Sequence, residues 1–389
     1  MGLNDTPSSS RIHISFFGRR NAGKSSLVNA ITSQELSVVS EVAGTTTDPV
    51  SKAMELGELG PVVITDTAGI DDEGDLGLLR IKKTNEVIRK TDIAVIVVDY
   101  ALGMSKFESE LEALLTKKNI PFITIYNKCD TEDAAEDMLC VSARTGRNVD
   151  LLKKKIAALK PKQNSLHLVG DFIKSGDVVI FVTPIDQSAP KGRLILPQQQ
   201  AIRDALDTNA ISIVLQPSEL KKTIETTKPA LVVTDSQVFG EVSKIVPDDI
   251  PLTSFSILMA RVKGLLESAV KGAYALDTLK DGDKVLISEG CTHHRQCKDI
   301  GTVKLPMLIE KHTGAKIEFE FTSGGTFPDD LKEYTLIVHC GGCMLNDNEM
   351  HSRVAAAAEQ NVPITNYGTA IAHINGILKR SLSIIPLER

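Results

Sequence analysis

The chain has 389 residues, of which 42% are hydrophobic and 24% charged, and its formal net charge is −6. This length suggests two or three domains, and the acidic balance argues against a general nucleic-acid-binding protein. Trp is absent and aromatic residues make up 4%, so a stacking platform for bases is not expected. No apolar run is long enough for a membrane span, and residues 1–11 do not resemble a signal peptide, so we expect a cytoplasmic protein.

The first part of the chain, from residue 11 to about 160, alternates predicted strands and helices. Continuous apolar runs indicate buried parallel strands. The predicted strands are 12–17, 62–65, 93–98 and 122–126, and the predicted helices include 25–33 and 106–118. The polar, proline-containing stretch 160–165 indicates a linker.

Two further blocks of alternating strands and helices follow the linker. In the second block we predict strands 178–183, 210–215, 231–234 and 252–254, and helices 198–207, 218–227 and 237–246. In the third block, which starts near Gly264, we predict strands 285–288, 317–321, 336–338 and 363–365, and helices 305–312, 347–360 and 369–380. Alternation of this kind is typical of α/β domains.

The first predicted strand leads into a glycine-rich loop, Gly18-Arg19-Arg20-Asn21-Ala22-Gly23-Lys24-Ser25. The loop has the pattern G-x-x-x-x-G-K-S and lies between a strand and a helix, as a P-loop requires. Backbone amides from Gly18 to Ser26 are expected to cradle phosphates at the helix N-terminus. We expect Lys24 to pair with the β- and γ-phosphates and Ser25 to ligate Mg²⁺.

Two further motifs complete the predicted phosphate and magnesium site. Asp66-Thr67-Ala68-Gly69 follows the strand 62–65. Asp66 is expected to hold Mg²⁺ through a water, and the Gly69 amide to contact the γ-phosphate. One threonine of the run Gly44-Thr45-Thr46-Thr47 should complete the Mg²⁺ shell; we assign this role to Thr46 and a nucleotide contact to Thr45. The predicted catalytic residues are Lys24, Asn21, Thr46 and Gly69.

The base-recognition motif Asn127-Lys128-Cys129-Asp130 follows the strand 122–126. The Asp130 carboxylate can accept two N–H bonds from guanine, whereas adenine would leave it unpaired, and such a site can reject the analogue by about 10⁴ or more. The segment Ser142-Ala143 is expected to place a backbone amide on guanine O6. The motifs together predict a GTP-binding and GTP-hydrolysing protein.

These motifs resemble the translation-factor-like GTPases related to the tRNA-modification GTPase. Ile70 follows Gly69 where Ras-type enzymes have the glutamine that orients water, so intrinsic hydrolysis should be slow or need another means of polarising water. The resemblance implies that Asn21 helps to hold K⁺ beside the phosphates, and the alternative is a loop-capping amide. Arg20 replaces the proline that is usual in this group.

Four of the six cysteines lie between Cys291 and Cys343. Cys291-Thr292-His293 follows one predicted strand, and His339-Cys340-Gly341-Gly342-Cys343 follows another. Because ligands gather at the carboxyl ends of parallel strands, we expect three thiolates to converge, with His293 and His339 nearby. Cys297 is a possible fourth ligand.

Spacing alone leaves three chemistries open for this cysteine cluster. A structural zinc site takes four ligands, often Cys₃His. An iron–sulfur cluster held by three thiolates leaves one iron weakly held, which suits a carrier. A CxxC pair can also act as a redox dithiol. The spacing favours iron–sulfur over zinc without deciding between them.

The whole chain resembles the HydF family, the GTPase maturation factors of [FeFe]-hydrogenase. The resemblance rests on the GTPase motifs, on Cys291-x-His293 placed 45 residues before His339-Cys340-x-x-Cys343, and on segments 183–186, 191–200 and 366–368. It implies a [4Fe–4S] cluster held by Cys291, Cys340 and Cys343, with His293 or His339 near the fourth iron. It also implies a scaffold that receives a diiron precursor and delivers it to the hydrogenase, with contacts to two radical maturases.

The resulting fold prediction is α/β, a P-loop GTPase domain followed by two smaller α/β domains. We predict a GTP-binding domain at 1–168, a dimerisation domain at 169–262 and a cluster-binding domain at 263–389. We expect a homodimer with no nucleic-acid or membrane partner. A zinc-stabilised GTPase acting in RNA or ribosome maturation is the first alternative function, and a redox protein cycling Cys340 and Cys343 is the second.

Overall fold

The computed structural model describes residues 7–32, 49–67, 75–130, 138–161, 166–185, 194–290 and 300–385. The chain divides into two compact units, Met1–Gln163 and Asn164–Arg389. Within the described residues, no helix has both the length and the apolar character that a membrane span needs.

The first unit is built on a five-stranded sheet. Its strands are β1 (Ile12–Phe17), β2 (Val50–Glu55), β3 (Pro61–Asp66), β4 (Ile93–Asp99) and β5 (Phe122–Asn127). Its helices are α1 (Lys24–Thr32), α2 (Asp75–Lys90), α3 (Lys106–Lys117) and α4 (Val149–Ala158). The strand order is β2-β3-β1-β4-β5, in which β2 is antiparallel and the other pairs are parallel.

Both faces of this sheet are covered, which explains the continuous apolar runs in the sequence. Strand β4 is buried at every position, as expected for a central parallel strand. Leu27 of α1 and Leu152 of α4 pack in one apolar layer, while Ile88 of α2 and Leu115 of α3 pack in the other. Because β1, β3, β4 and β5 are parallel, the chain leaves all four strands at the same edge of the sheet.

The second unit contains two four-stranded sheets, and every strand pair in both is parallel. The first sheet has the order β7-β6-β8-β9. Its elements are β6 (Val178–Val182), α5 (Leu196–Asp207), β7 (Ile211–Leu215), α6 (Leu220–Thr227), β8 (Leu231–Thr234), α7 (Phe239–Ile245), β9 (Leu252–Ser254) and α8 (Phe255–Val262).

The second sheet of this unit has the order β11-β10-β12-β13. Its elements are α9 (Leu266–Tyr274), β10 (Lys284–Glu289), α10 (Leu305–Thr313), β11 (Glu318–Ser323), β12 (Leu336–His339), α11 (Asp347–Glu359), β13 (Ile364–Asn366), α12 (Tyr367–Ile374) and α13 (Leu378–Leu382). The α/β class predicted from the sequence is confirmed, including the mostly parallel sheet of the first unit.

Helix α12 connects the cores of the two sheets in the second unit. Tyr367 and Ile371 pack in the core of the second sheet, whereas Ala372 packs in the core of the first. Gly368 permits the close approach to α8, because a Cβ atom there would lie 2.3 Å from the Cβ atom of Ser256. The cores of the two sheets in this unit are therefore in contact through α12.

The single helix predicted at 369–380 is wrong, since the structure has two helices, α12 and α13, with a break between them. Gly376 adopts φ 71°, and its amide donates to the His373 carbonyl at 2.8 Å. The Ile377 amide donates to the Ala372 carbonyl at 2.9 Å. This pair of bonds is a Schellman motif, which ends a helix at a left-handed residue and favours glycine there.

Candidate functional sites

The P-loop connects β1 to α1 in a conformation that requires glycine at two positions. A Cβ atom on Gly18 would lie 2.2 Å from the Val97 carbonyl oxygen, and one on Gly23 would lie 2.2 Å from Nδ2 of Asn127. Gly23 and Asn21 both have positive φ, 85° and 60°, a region that glycine and asparagine tolerate best. The loop is thus packed directly against β4 and the base-recognition motif.

Lys24 is buried, with 6% of its surface exposed. Its Nζ atom donates to the Gly18 carbonyl at 2.9 Å and to the Arg19 carbonyl at 2.8 Å. These bonds hold the ammonium group across the loop, where the sequence predicted a phosphate-pairing cation. Ser26, in the first turn of α1, is half-buried.

Ser25 and Asp66 are brought together as a pair of oxygen ligands. The Ser25 hydroxyl donates to Oδ2 of Asp66 at 2.6 Å. Asp66 is 1% exposed, and its Oδ1 atom has no hydrogen-bond partner among the described residues. A buried, unpaired carboxylate oxygen is costly unless a cation is present, and Mg²⁺ prefers oxygen ligands. The pair therefore fits the predicted Mg²⁺ ion; Thr45, Thr46 and Gly69 lie outside the described residues.

Asn127 connects the P-loop to the loop that was predicted to contact guanine. Its Nδ2 atom donates to the Ala22 carbonyl at 3.0 Å, and its Oδ1 atom accepts from the Ala143 amide at 3.2 Å. The Ser142 hydroxyl donates to Oδ1 of Asp130 at 2.7 Å. The P-loop and the segment that was predicted to contact guanine are thus joined by hydrogen bonds.

Lys128, within the same motif, forms an ion pair with Asp99 at the end of β4. The Lys128 Nζ atom lies 2.7 Å from Oδ2 of Asp99. Burial acts to raise the pKa of Asp99, but hydrogen bonds from Lys128 and from the Ala101 amide outweigh it and hold this pKa below its ordinary value. The ion pair fixes the direction in which the motif leaves β5.

A buried carboxylate also anchors the P-loop, and the sequence reasoning missed it. Arg19 Nε donates to Oε1 of Glu108 at 3.0 Å, and the Glu108 side chain is fully buried. Burial acts to raise the pKa of Glu108, but hydrogen bonds from Ser105 and the charge of Arg19 outweigh it and lower this pKa. The sequence does contain a pattern that includes Glu108, the capping box that Ser105 and Glu108 form at the start of α3. Such a box usually only caps its helix, so it does not predict a contact with the P-loop.

In the second unit, the carboxyl ends of β10 and β12 meet, because the strands are parallel neighbours with Ser288 opposite His339. The Gly290 amide donates to the Sγ atom of Cys340 at 3.0 Å, and the Gly342 amide donates to the same atom at 3.4 Å. Gly290 immediately precedes Cys291 in the sequence. The predicted ligands Cys291 and His293, and also Cys297, lie outside the described residues.

The turn from Cys340 to Cys343 depends on one of its two glycines. Gly342 has φ 62°, and a Cβ atom there would lie 2.6 Å from Sδ of Met350, whereas a Cβ atom on Gly341 would meet nothing within 4 Å. Burial raises the pKa of both thiols, and the neighbouring Cys340 raises that of Cys343 further. Ionising these thiols therefore needs a positive partner.

Lys263 is a cation beside this turn that no sequence motif indicated. It is 6% exposed, and its Nζ atom donates to the Gly342 carbonyl at 2.9 Å and to the Leu345 carbonyl at 2.7 Å. Burial lowers its pKa, although Asp347 and the two thiols act in the opposite direction. The ammonium group lowers the pKa of Cys343 in turn.

Both ring nitrogens of His339 are used within the protein. Nδ1 lies 2.7 Å from the Cys340 carbonyl oxygen, and Nε2 lies 3.0 Å from Nη1 of Arg353. Because arginine only donates, Nε2 must accept and Nδ1 must carry the hydrogen. Burial, followed by the Arg353 charge, lowers the pKa of His339 to about 3, so the ring is neutral.

Arg353 ties this histidine to α11 through a buried network. Its Nη2 atom donates to Oε1 of Glu349 at 2.6 Å and to the Gly324 carbonyl at 2.8 Å. Its Nη1 atom donates to the Ser288 hydroxyl at 3.3 Å. The side chains of Arg353 and Glu349 are only 2% and 5% exposed, so each charge depends on the other for compensation.

Three family models match the chain and together span most of its length. Residues 13–128 match the model of the 50S ribosome-binding GTPase. Residues 168–264 match the hydrogen maturase F dimerization domain, and residues 267–384 match the hydrogen maturase F tetramerization domain. The last two models together cover more than half of the chain.

Individual relatives match over little more than a third of the chain. The GTPase Der of Wolinella succinogenes is 35% identical over 167 residues, which is 38% of this chain and 35% of Der. The tRNA modification GTPase MnmE of Thiobacillus denitrificans is 35% identical over 144 residues, 36% of this chain and 32% of MnmE. The chain thus spans about a third of the length of these curated relatives.

Solved structures with a similar fold include Era of Aquifex aeolicus bound to GDP and AlF4⁻. That structure is 18% identical with a TM-score of 0.36, and the match covers 60% of this chain and 97% of Era. NFeoB of S. thermophilus bound to GDP and AlF4⁻ is 23% identical with a TM-score of 0.31, and the match covers 38% of this chain and 63% of NFeoB.

Proposed function

The chain belongs to the hydrogen maturase F family and carries a GTPase domain, and from this we propose that it is a GTPase-coupled iron–sulfur scaffold for the diiron subcluster of [FeFe]-hydrogenase. The single observation that carries the scaffold role is the contact between Gly290 and Cys340, which joins the two halves of the cysteine pattern.

In the nucleotide site, Ser25, Asp66 and Thr46 hold Mg²⁺, and Thr45 and Gly69 contact the phosphates. The Oδ1 atom of Asp66 has no hydrogen-bond partner in the part of the chain that the structure describes. This supports the assignment, since a cation would compensate the buried charge. When GTP binds, the Lys24 ammonium group leaves the loop carbonyls and donates to the β- and γ-phosphates instead. Its positive charge then lies where negative charge develops during hydrolysis.

Guanine selection depends on side chains that hydrogen bonds within the protein already hold in position. The hydroxyl of Ser142 orients the Asp130 carboxylate, and Asn127 holds the Ala143 segment against the P-loop. Preorganised acceptors and donors reject adenine because they would be left unpaired. Asn21 contributes an oxygen to a K⁺ ion beside the phosphates, which makes hydrolysis potassium-stimulated.

In the thiol site, Cys291, Cys340 and Cys343 hold a [4Fe–4S] cluster. The residues fit such a group, because two backbone amides already donate to Cys340 sulfur and a buried ammonium lies beside the turn. Amide donors and positive charge stabilise the negative charge of a thiolate-ligated cluster. When bound, the cluster supplies an iron site at which the diiron cargo can be held.

We assign His339 a positioning role in place of the iron contact that the resemblance allowed. Its Nδ1 atom donates to the Cys340 carbonyl and its Nε2 atom accepts from Arg353, so the ring orients the cysteine turn. His293 and Cys297 remain the candidates from this chain for the fourth iron.

The domain division of this proposal is 1–168 for GTP, 169–262 for dimerisation and 263–389 for the cluster. The family models name a dimerization and a tetramerization domain, which supports homo-oligomers, with the homodimer as the basic unit. The two radical maturases and the hydrogenase apoprotein are the proposed protein partners, and the proposed location is the cytoplasm.

The experiment is an activation assay with separated components. Protein produced together with the two radical maturases is purified anaerobically and mixed with hydrogenase apoprotein, and hydrogen evolution is measured. We expect activation by the wild type and by Cys140→Ala, a variant at a buried cysteine of the first unit, and none by Cys343→Ala. Colourless wild-type protein that contains stoichiometric zinc and activates nothing would instead support the RNA- or ribosome-maturation alternative.

A further inference from the structure

A second group of metal-binding side chains lies in the second unit, separate from the cysteines. Asp277 is in a short helix, Ala275–Thr278, that precedes β10. His312 is near the C-terminal end of α10, and His373 is near that of α12. Asp277 lies a few residues before β10, and His312 is at the end of the helix that runs back from β10 towards β11. His373 contacts Asp277, so the three side chains lie at the amino edge of the strands. The thiol site is at the opposite, carboxyl edge.

The three side chains direct their ligand atoms at one point. Nε2 of His312 lies 2.8 Å from Oδ1 of Asp277. Nε2 of His373 lies 2.9 Å from the same oxygen and 3.0 Å from Oδ2. All three ligand atoms lie within 4.8 Å of one another. Ligands of one Zn²⁺ ion, each about 2.0–2.2 Å from the metal, are roughly 3.3 Å apart, so a small withdrawal of the carboxylate is sufficient.

The surroundings favour a positive charge at this point. His312 and His373 lie in the last turns of their helices, where the helix dipole produces a negative potential. The carboxylate of Asp277 accepts hydrogen bonds from both imidazoles, so all three ligand groups already face one another. The group is also accessible, because the Asp277 side chain is 47% exposed and that of His312 is 24% exposed.

The orientation of the imidazoles is fixed by ring packing. The ring of Tyr274 packs edge-on against His373 with a centroid distance of 4.9 Å, and the His312 and His373 rings are 5.7 Å apart at 69°. Little rotamer freedom remains to be lost on binding an ion. Such preorganisation raises the affinity that three ligands can provide.

We propose that Asp277, His312 and His373 form a binding site for one divalent first-row transition-metal ion. Two imidazole nitrogens and one carboxylate suit Zn²⁺ or Fe²⁺ and leave coordination positions open to water, whereas Mg²⁺ and Ca²⁺ prefer sites made of oxygen atoms. The site contains no thiolate, so it is chemically distinct from the cysteine site and independent of the scaffold role.

The test is a Zn²⁺ titration against a chromophoric chelator. The proteins are the wild type, His312→Gln, His373→Gln, and His351→Gln as a matched control at an exposed position of α11. The cysteines contribute equally in all four proteins, so the comparison isolates the histidine site. We expect the wild type and His351→Gln to bind one more Zn²⁺ per chain than His312→Gln and His373→Gln. In these two variants the affinity of the site for Zn²⁺ should fall at least about 10-fold, since even changes to outer-shell residues cost 10–100-fold.

A second measurement separates metal binding from a simple ion pair. If the site binds Zn²⁺, the ion raises the thermal unfolding temperature of the wild type more than that of Asp277→Asn, because a ligand that binds only the folded state stabilises it. Equal Zn²⁺ stoichiometry and affinity in all four titrated proteins would overturn the proposal. An equal thermal response to Zn²⁺ in the wild type and Asp277→Asn would overturn it as well.

Discussion

The amide nitrogen of Gly290 lies 3.0 Å from the Sγ atom of Cys340, although the two residues are 50 positions apart in the chain. The contact arises because β10 and β12 are parallel neighbours and end together. It brings the residue that precedes Cys291 to the cysteine turn that contains Cys343. This contact supports a single inorganic centre that Cys291 and the cysteine turn hold together.

Lys24→Ala should reduce GTP hydrolysis by at least about 100-fold, because it removes a positive charge from the position where the phosphates bind. Iron and sulfide contents should remain those of the wild type, since the thiol site is in the other compact unit. Phosphate release and metal analysis measure the two properties on the same preparation. Lys154→Ala, at an exposed position of α4, is the control and should change neither. Loss of iron from Lys24→Ala would show that the two units are not independent.

Hydrolysis by the wild type should be faster in K⁺ than in Na⁺ at equal ionic strength. Asn21→Gly should abolish this difference, because it removes the side-chain oxygen while keeping the left-handed backbone at φ 60°. Steady-state rates in the two salts provide the comparison. Equal rates for the wild type would exclude the proposed role of Asn21.

Gly342→Ala should lower the free energy of unfolding of the second unit by about 1–2 kcal/mol, because an L-residue is strained at its φ of 62°. The added Cβ atom would also press on the Met350 side chain. Gly341→Ala is the matched control, where a Cβ atom meets open space, and it should change stability by less than about 0.5 kcal/mol. Denaturant titration measures both; equal losses would contradict the conformation given to this turn.

Arg353→Met should destabilise the second unit by about 3–5 kcal/mol, because it removes the positive charge that pairs with the buried Glu349 carboxylate. The double variant Arg353→Met with Glu349→Leu should be less destabilised than Arg353→Met alone, since it removes both charges of the pair. Unfolding free energies of both single variants and the double variant complete the cycle. Additive losses would mean that the two charges do not interact.

The strands of the fold could largely be predicted from the sequence, and β8, predicted at 231–234, has those bounds in the structure. Buried parallel strands are continuous apolar runs that few other elements resemble. Strand β2 was missed because it is an antiparallel edge strand whose residues alternate between half-buried and exposed. The break between α12 and α13 was missed because one glycine inside a helical pattern does not by itself show that the helix ends there.

The candidate site was predictable where a short motif determines its own geometry, as for Lys24, Asp66 and Asn127. Lys263 and Arg353 were not predictable, because they reach the cysteine turn through tertiary packing. The spacing of Arg353 from Glu349 is that of an ordinary surface ion pair on a helix, and only the structure shows that both are buried.

Anaerobic iron and acid-labile sulfide analysis shows whether Cys291, Cys340 and Cys343 hold one [4Fe–4S] cluster. The wild type and Cys140→Ala should contain about four irons and four sulfides per chain, with broad visible absorption. Cys291→Ala, Cys340→Ala and Cys343→Ala should each lose most of both. A wild-type protein without sulfide, or a Cys291→Ala variant with undiminished iron, would contradict the account.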